Sequence, residues 1–305
     1  MDQTTTVLPS IWSLLSSPIM KLGARLVVGI VGSEWAGPMQ TQMLLRSVFQ
    51  DLSGGSETQC SIVLTNFLHV ARREGRLPQE AIMSPDNTPK ESKNQIMLHF
   101  QIWMLCVLKD TVFYSWAMVT LIVGHTHNAL DRFFSRLSVA LRGCDYDTLD
   151  EMWDIITRAI QTHHIQALHT AQTWAFKELG DKHANIHIPA ITHLHFVHAL
   201  NVFRMEQGIF IKWKQYVTDA AWSDPVCIVP ARQMARIAAL RPSRVQKHFA
   251  QKTEMLAWLN KFSTHLQDMQ GTYAKHKDAI AWLQAVICHE HPEYNDDTSL
   301  DDIIN

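Results

Sequence analysis

The stretch from Leu121 to Gly143, LIVGHTHNALDRFFSRLSVALRG, constrains this chain more than any other. It continues an apolar run, Val119 to Val123, of the kind that makes a buried strand. Gly124, His125 and Thr126 break the run. Leu130, Phe133, Phe134, Leu137 and Leu141 then recur near the helical period, which predicts an amphipathic helix over 128–142. Asp131 falls in its first turn. A strand that hands an acid to the opening of a helix is a common way to build a metal site.

The segments upstream read as alternating elements. Arg25 to Val31 is a β-rich run ending at Gly32, and Met39 to Asp51 alternates in the manner of a strand. Ser56 caps a helix through about Glu74, and Gly75 stops it. Ala81-Ile82-Met83 is a short apolar run ending at Pro85-Asp86-Asn87, followed by a long apolar helix, Gln95 to Leu108. Thr111 to Val123 is the next strand, 128–142 the next helix, and 149–162 another, with Met152, Ile155 and Ile156 inward. With a first strand at or just before Met1 the order is βββαβαβα, the ribonuclease H-like order. It implies an α/β fold: a mixed sheet with flanking helices, followed by a helical C-terminal region.

After about residue 165 the character changes. Five histidines crowd 183–198: His183, His187, His193, His195 and His198. Residues 199–222 read as a hairpin around Glu206-Gln207-Gly208. From Pro230 onward helices are expected, including 244–269 and 273–290, and the tail from Glu290 is acidic. The organisation expected is a core over 1–165, a histidine-rich segment and hairpin over 166–225, and a helical region over 226–305.

Composition removes several function classes. With 305 residues, 47% hydrophobic and 18% charged, the chain is of ordinary globular type. A net charge of −2 gives no whole-chain field for a polyanion, so any nucleic-acid surface must be local. The five cysteines are scattered without a CxxC, which argues for reduced thiols in an intracellular setting, nuclear or cytoplasmic. No secretory signal is read, and no apolar run reaches the roughly 18 residues of a membrane span, so no membrane partner is expected.

Four constellations can carry chemistry. Asp86 ends one strand and Asp131 opens the helix after the neighbouring one. Carboxylates converging there would hold Mg²⁺ or Mn²⁺, hard ions that prefer oxygen. The plainer alternative makes Asp131 a helix-N-terminal acid favoured by the dipole and Asp86 a turn residue. His125 and His127 beside such a site can ligate, orient a phosphate or shuttle a proton; alternatively His125 bonds the backbone at the corner. His193 and His195 share one strand face as a zinc pair, without a carboxylate or cysteine at ligand spacing. Arg232, Arg236, Arg241, Arg244, Lys247 and Lys252 form a basic run with no acid between Asp224 and Glu254. That run suits sequence-blind phosphate contacts with DNA, or a solvated helix face. Trp213, Trp222 and Trp258 are stacking platforms for bases or core residues.

GHTHNALDRFFSRLS resembles the V-G-H-T-H-x-x-x-D-x-x-F-S-R signature of a large domain-of-unknown-function family widespread in eukaryotic transposon-derived proteins. A second family block, D-N-x-x-x-x-x-K-N-Q, is matched by Asp86, Asn87, Lys93, Asn94 and Gln95. A third, V-x-G-I-V-x-x-W-A-G-P, is matched by Val28, Gly29, Ile30, Val31, Trp35, Ala36, Gly37 and Pro38, with Glu34 as an extra residue. The opening Met1-Asp2-Gln3 is similar to the end of a fourth, D-G-M-D-Q.

The resemblance covers about residues 1–220 and implies an integrase or transposase core of ribonuclease H-like type. Asp2, Asp86 and Asp131 are its implied catalytic acids and Mg²⁺ or Mn²⁺ ligands. Asn87, Lys93, His125 and His127 are auxiliary, and DNA is the partner. Three departures imply impaired chemistry. The D-G before Met-Asp-Gln is missing, so the first strand is expected to fray around Asp2. Pro85 removes a ladder donor beside Asp86. Asn128-Ala129 replaces the usual Glu-Asp. The other expectation is a non-catalytic DNA- or protein-binding relic of a mobile element.

Overall fold

The computed structural model describes residues 3–7, 27–36, 41–49, 55–84, 94–120, 129–142, 144, 149–159, 165–168, 173–182, 197–245, 252–267, 272–288 and 300–301. The chain is a mixed α/β protein whose described strands fall in two sheets, a four-stranded and a five-stranded one. No hydrogen-bonded register joins them among the described residues. The order expected for the first part is present. β1 (Gln3–Val7), β2 (Val27–Ala36) and β3 (Thr41–Phe49) precede α1 (Gly55–Glu74), β4 (Glu80–Met83), α2 (Gln95–Val107), β5 (Ser115–Val119) and α3 (Ala129–Arg142). α4 (Leu149–Ala159) and β6 (Ile165–Leu168) follow.

β1, β2 and β3 form an antiparallel meander, and β6 adds to β3 in parallel. The first strand differs from expectation. It runs after Asp2, pairs over its whole length from Gln3↔Val31 to Val7↔Val27, and lies at the edge of its sheet. Three threonines and a valine suit an extended chain, so the strand forms after Asp2 rather than at or before Met1.

The five-stranded sheet has the order β4-β5-β7-β8-β9, with β7 (Ala199–Met205), β8 (Gly208–Lys214) and β9 (Val226–Pro230). β4 and β5 are parallel with α2 as their crossover; β7, β8 and β9 are antiparallel. The sheet draws strands from all three stretches of the chain. The hairpin is where the pattern put it: Met205 pairs Gly208 across the two-residue loop Glu206-Gln207.

α2 explains its own apolar run. Phe100, Trp103, Leu105 and Cys106 are fully buried, so the helix is apolar around most of its girth. Asn94 starts it: its Oδ1 accepts from the backbone N–H of Met97 at 3.1 Å. Phe100 and Trp103 meet Phe176 edge-on at 4.9 and 5.7 Å between ring centroids. Phe67 and Phe113 pack on Trp116 at 5.3 and 5.6 Å. α1, the inward face of the five-stranded sheet, α5 (Lys177–Lys182) and α6 (Ala231–Ala238) complete this core. α7 (Lys252–Gln267) and α8 (Thr272–Cys288) end the helical region, where 244–269 and 273–290 were expected.

The carbonyls left open at the C-terminus of α2 are met by an arginine from β7. Arg204 donates from Nη1 to Leu105 O at 3.3 Å and Leu108 O at 2.9 Å, and from Nη2 to Thr111 O at 2.9 Å. Burial lowers its pKa from the ordinary value, and the charge of Asp110 opposes that shift. Arg204→Met keeps the stem but takes the side-chain donor from Leu105 O and Thr111 O, while Leu108 O keeps Thr111 N at 3.1 Å and Thr111 Oγ1 at 2.7 Å. The expected loss is about 2–3 kcal/mol in urea unfolding, the range for charge-assisted hydrogen bonds. A loss below about 0.5 kcal/mol, the ordinary surface value, would show that water serves these carbonyls as well.

Cys60 and Cys106 are buried, Cys144 and Cys227 exposed. Burial pushes the Cys60 thiol up, helped by Glu57, and Cys106 up to about 12. The two core thiols are therefore inert packing groups.

Candidate functional site

The register of β4 on β5 decides where the acid-bearing segments leave the sheet. Glu80 pairs Ser115 and Met83 pairs Met118 in parallel, so both strands end on one side. Asp86 follows Met83 by three residues in the sequence. Asp131 is the third residue of α3, the helix after β5. Strand ends and helix starts at the carboxyl end of a parallel pair are where α/β sheets place their sites.

Several described residues shape this end. Asn94, at the start of α2, donates from Nδ2 to Ser56 Oγ at 2.7 Å, tying the openings of α1 and α2 together. Thr120, the last described residue of β5's exit, is 1% exposed, and its N–H donates to His198 O at 2.8 Å. The His198 ring contacts Thr120 O through Nδ1 at 3.2 Å, which suits the tautomer with hydrogen on Nδ1. The same ring stacks on Tyr216 at 5.9 Å. His198 thus holds β5 at the point where it releases the segment carrying His125 and His127. The histidine cluster gave no reason to single it out; a histidine one residue before a strand that pairs with β5 was the available signal.

The other expectations fare unevenly. Asp2, Asp86, Asn87, Lys93, His125, His127, His193, His195 and Lys247 lie outside the described residues. Among the described residues no group of three or more His, Cys, Asp or Glu is placed to hold a metal ion.

The basic run is not one helix. α6 carries Arg232 and Arg236 exposed on one face, four residues apart, and then stops at Ala238. Pro242 bars its continuation, since a proline lacks the N–H that would bond the carbonyl four residues back, that of Ala238, and its ring clashes with it. Arg241 turns back to donate from Nη1 to Ala238 O and Leu240 O at 2.7 and 3.0 Å, and its Nε meets Asp301 Oδ1 at 2.6 Å. Arg244 forms an isolated β-bridge with Trp174, and Lys252 opens α7. Trp213 is half-buried against the core, whereas Trp222 is exposed. No helix among the described residues is long and apolar enough to cross a membrane.

A family model described as "Domain of unknown function (DUF7869)" matches residues 23–219. The chain belongs to this family. The matched span holds β2 to β8, and with them the Asp86 and Asp131 segments, so the candidate end of the sheet is a feature of the family domain. Asp2, β9 and the basic run of α6 lie outside the match. No curated protein and no solved structure matches the chain.

Proposed function

We propose that this chain is a nucleic-acid-processing core of transposase or integrase type, ribonuclease H-like in descent and impaired in strand transfer. The observation that carries it is the parallel register of β4 on β5, which sends the segments bearing Asp86 and Asp131 out of one end of the sheet. The order of elements, an antiparallel meander, a helix and a parallel β–α–β unit, is the one expected of that type, while the single mixed sheet expected is replaced by two sheets, with the meander in one and the parallel pair in the other.

The donor set fits a hard divalent cation: two carboxylates, with Asn87 as a further oxygen. Mg²⁺ or Mn²⁺ bound there would supply a Lewis acid for water or a 3′-hydroxyl. The protein's part is placement. Asn94 and Ser56 hold the helix openings together, and Thr120 and His198 hold the strand exit. Pro85 adjoins Asp86, and Asp2 precedes an edge strand rather than ending a central one, so the third ligand is the weak part of the set.

Mn²⁺ binding to the full chain, followed by calorimetry, is the test. Weak binding that Asp131→Ala and Asp86→Ala each remove is the expected result, with little strand transfer in either metal. Mn²⁺ affinity unchanged in both variants would overturn the site.

A further inference from the structure

The five-stranded sheet has one face in the core and one face out. Trp116, Val202 and Ile211 point inward in register, as do Met118 and Leu200. Their neighbours form the outer rows. Ile82, Ala117, Asn201 and Lys212 lie side by side, and Ser115, Phe203, Phe210 and Cys227 make the next row. Lys214 continues the same face at the end of β8. Ile82 and Cys227 at the ends of the rows are exposed, Phe203, Phe210, Lys212 and Lys214 between them are half-buried, Trp222 is exposed, and Ser115 is buried.

Aromatic rings and ammonium groups alternate along it. Phe203 and Phe210 stack at 6.0 Å. The Lys212 Nζ lies 5.2 Å from the Phe203 ring and 5.1 Å from Trp222, and the Lys214 Nζ lies 5.1 Å from Trp222. Trp222 is held beside β8 by its neighbour: Ser223 N donates to Trp213 O at 2.9 Å, and Trp213 N donates to Ser223 Oγ at 3.0 Å. Lys214 also donates to Asp219 O at 2.6 Å. Glu80, at the far edge of the outer rows, accepts the Tyr114 phenol at 2.7 Å, and the Asp219 carboxylate next to Lys214 accepts from Tyr216 N at 2.8 Å.

We propose that this outer face, through Phe203, Phe210, Trp222, Lys212 and Lys214, binds single-stranded nucleic acid. Aromatic faces on an open sheet stack unpaired bases, and interleaved lysines meet the phosphates between them. A duplex offers no exposed base faces to these rings. Direction supports the assignment. From Phe210 to Lys214 the row spans four residues of β8, about 13 Å at a strand's rise. It ends opposite Ala199 and Val119, at the end of the sheet where the Asp86 and Asp131 segments leave. A strand laid along the rings is led to the candidate site. The inference rests on the nucleic-acid substrate of the proposed function but on none of its metal ligands.

The test is fluorescence anisotropy with the full chain in EDTA, using labelled oligothymidylate, oligouridylate and a duplex of the same length. Either single strand should bind more tightly than the duplex, and the two arms distinguish DNA from RNA. Phe203→Leu with Phe210→Leu should weaken binding by roughly fivefold to a hundredfold per ring lost. Trp222→Leu, in a loop, gives the same readout should the strand variants not fold. Lys212→Gln with Lys214→Gln should make the log–log salt slope shallower by about 0.7 per lysine.

Single-strand affinity indifferent to all three rings, a preference for duplex, or no binding at low salt would each overturn the proposal. So would concentration-dependent self-association that the ring variants abolish, since the face would then belong to a second copy. Ring-dependent binding in EDTA, together with no Mn²⁺ uptake in the separate calorimetry, would uphold this inference and overturn the metal site. Mn²⁺ bound with ring-independent affinity would do the reverse.

Discussion

Gly208→Ala is expected to cost about 4 kcal/mol or more, among the largest effects of any single substitution. Gly208 opens β8 with φ +143°, a conformation that side-chain-bearing residues rarely adopt and that alone costs roughly 1–3 kcal/mol. An added Cβ would stand 2.0 Å from Val229 O and 3.0 Å from Ala231 N and the Pro230 Cα. These atoms are backbone, so relief must come from moving β9 and the start of α6 away from the hairpin. The hairpin turn is itself tied there, because Ala231 N donates to Gln207 O at 2.9 Å. Gly75 is the control. It ends α1 with φ +68° and nothing within 4 Å of its Cβ position, so Gly75→Ala should cost only about 1–2 kcal/mol. Equal urea midpoints for the two variants would show that β9 yields freely.

Trp103→Ala is expected to cost about 3–5 kcal/mol. The side chain is fully buried on α2, between Phe100 and Phe176, and its Nε1 donates to Leu240 O at 3.0 Å. Leu240 lies just past α6, so this one residue joins the central helix to the segment of the basic run. Trp103→Phe separates the two contributions. It restores most of the apolar volume and removes the indole donor to Leu240 O, which keeps only Arg241 Nη1 at 3.0 Å, for an expected loss of about 1 kcal/mol. Urea unfolding with an unchanged m-value would read these as stability changes. Equal losses for alanine and phenylalanine would mean that the hydrogen bond, not packing, dominates.

Neither glycine nor tryptophan announced its weight in the sequence. The Glu206-Gln207-Gly208 turn was readable because two apolar runs flank a short polar break. What makes Gly208 irreplaceable is β9, which was not read as a strand. Val226–Pro230 is five residues bounded by prolines, too short for a period to show, and becomes a strand by pairing with the free edge of β8. β6 is a similar case, four residues that lie against β3. The basic run illustrates the converse. Its charge pattern was plain, and Pro242 was the local signal that a single helix could not pass through it.

The sequence by itself determined the local elements: the helices of 55–74, 95–107, 129–142 and 149–159, and the hairpin at 205–208. Periodicity, caps and turn residues act within a few positions, so the chain displays them directly. Only the tertiary structure decided that β4 and β5 end on one side of the five-stranded sheet, that Arg204 closes α2, and that Phe203, Phe210 and the lysines share the outer face. Strand partners are chosen by contacts between residues as far apart as Phe203 and Ser115, and a one-residue change of register exchanges the buried face for the open one.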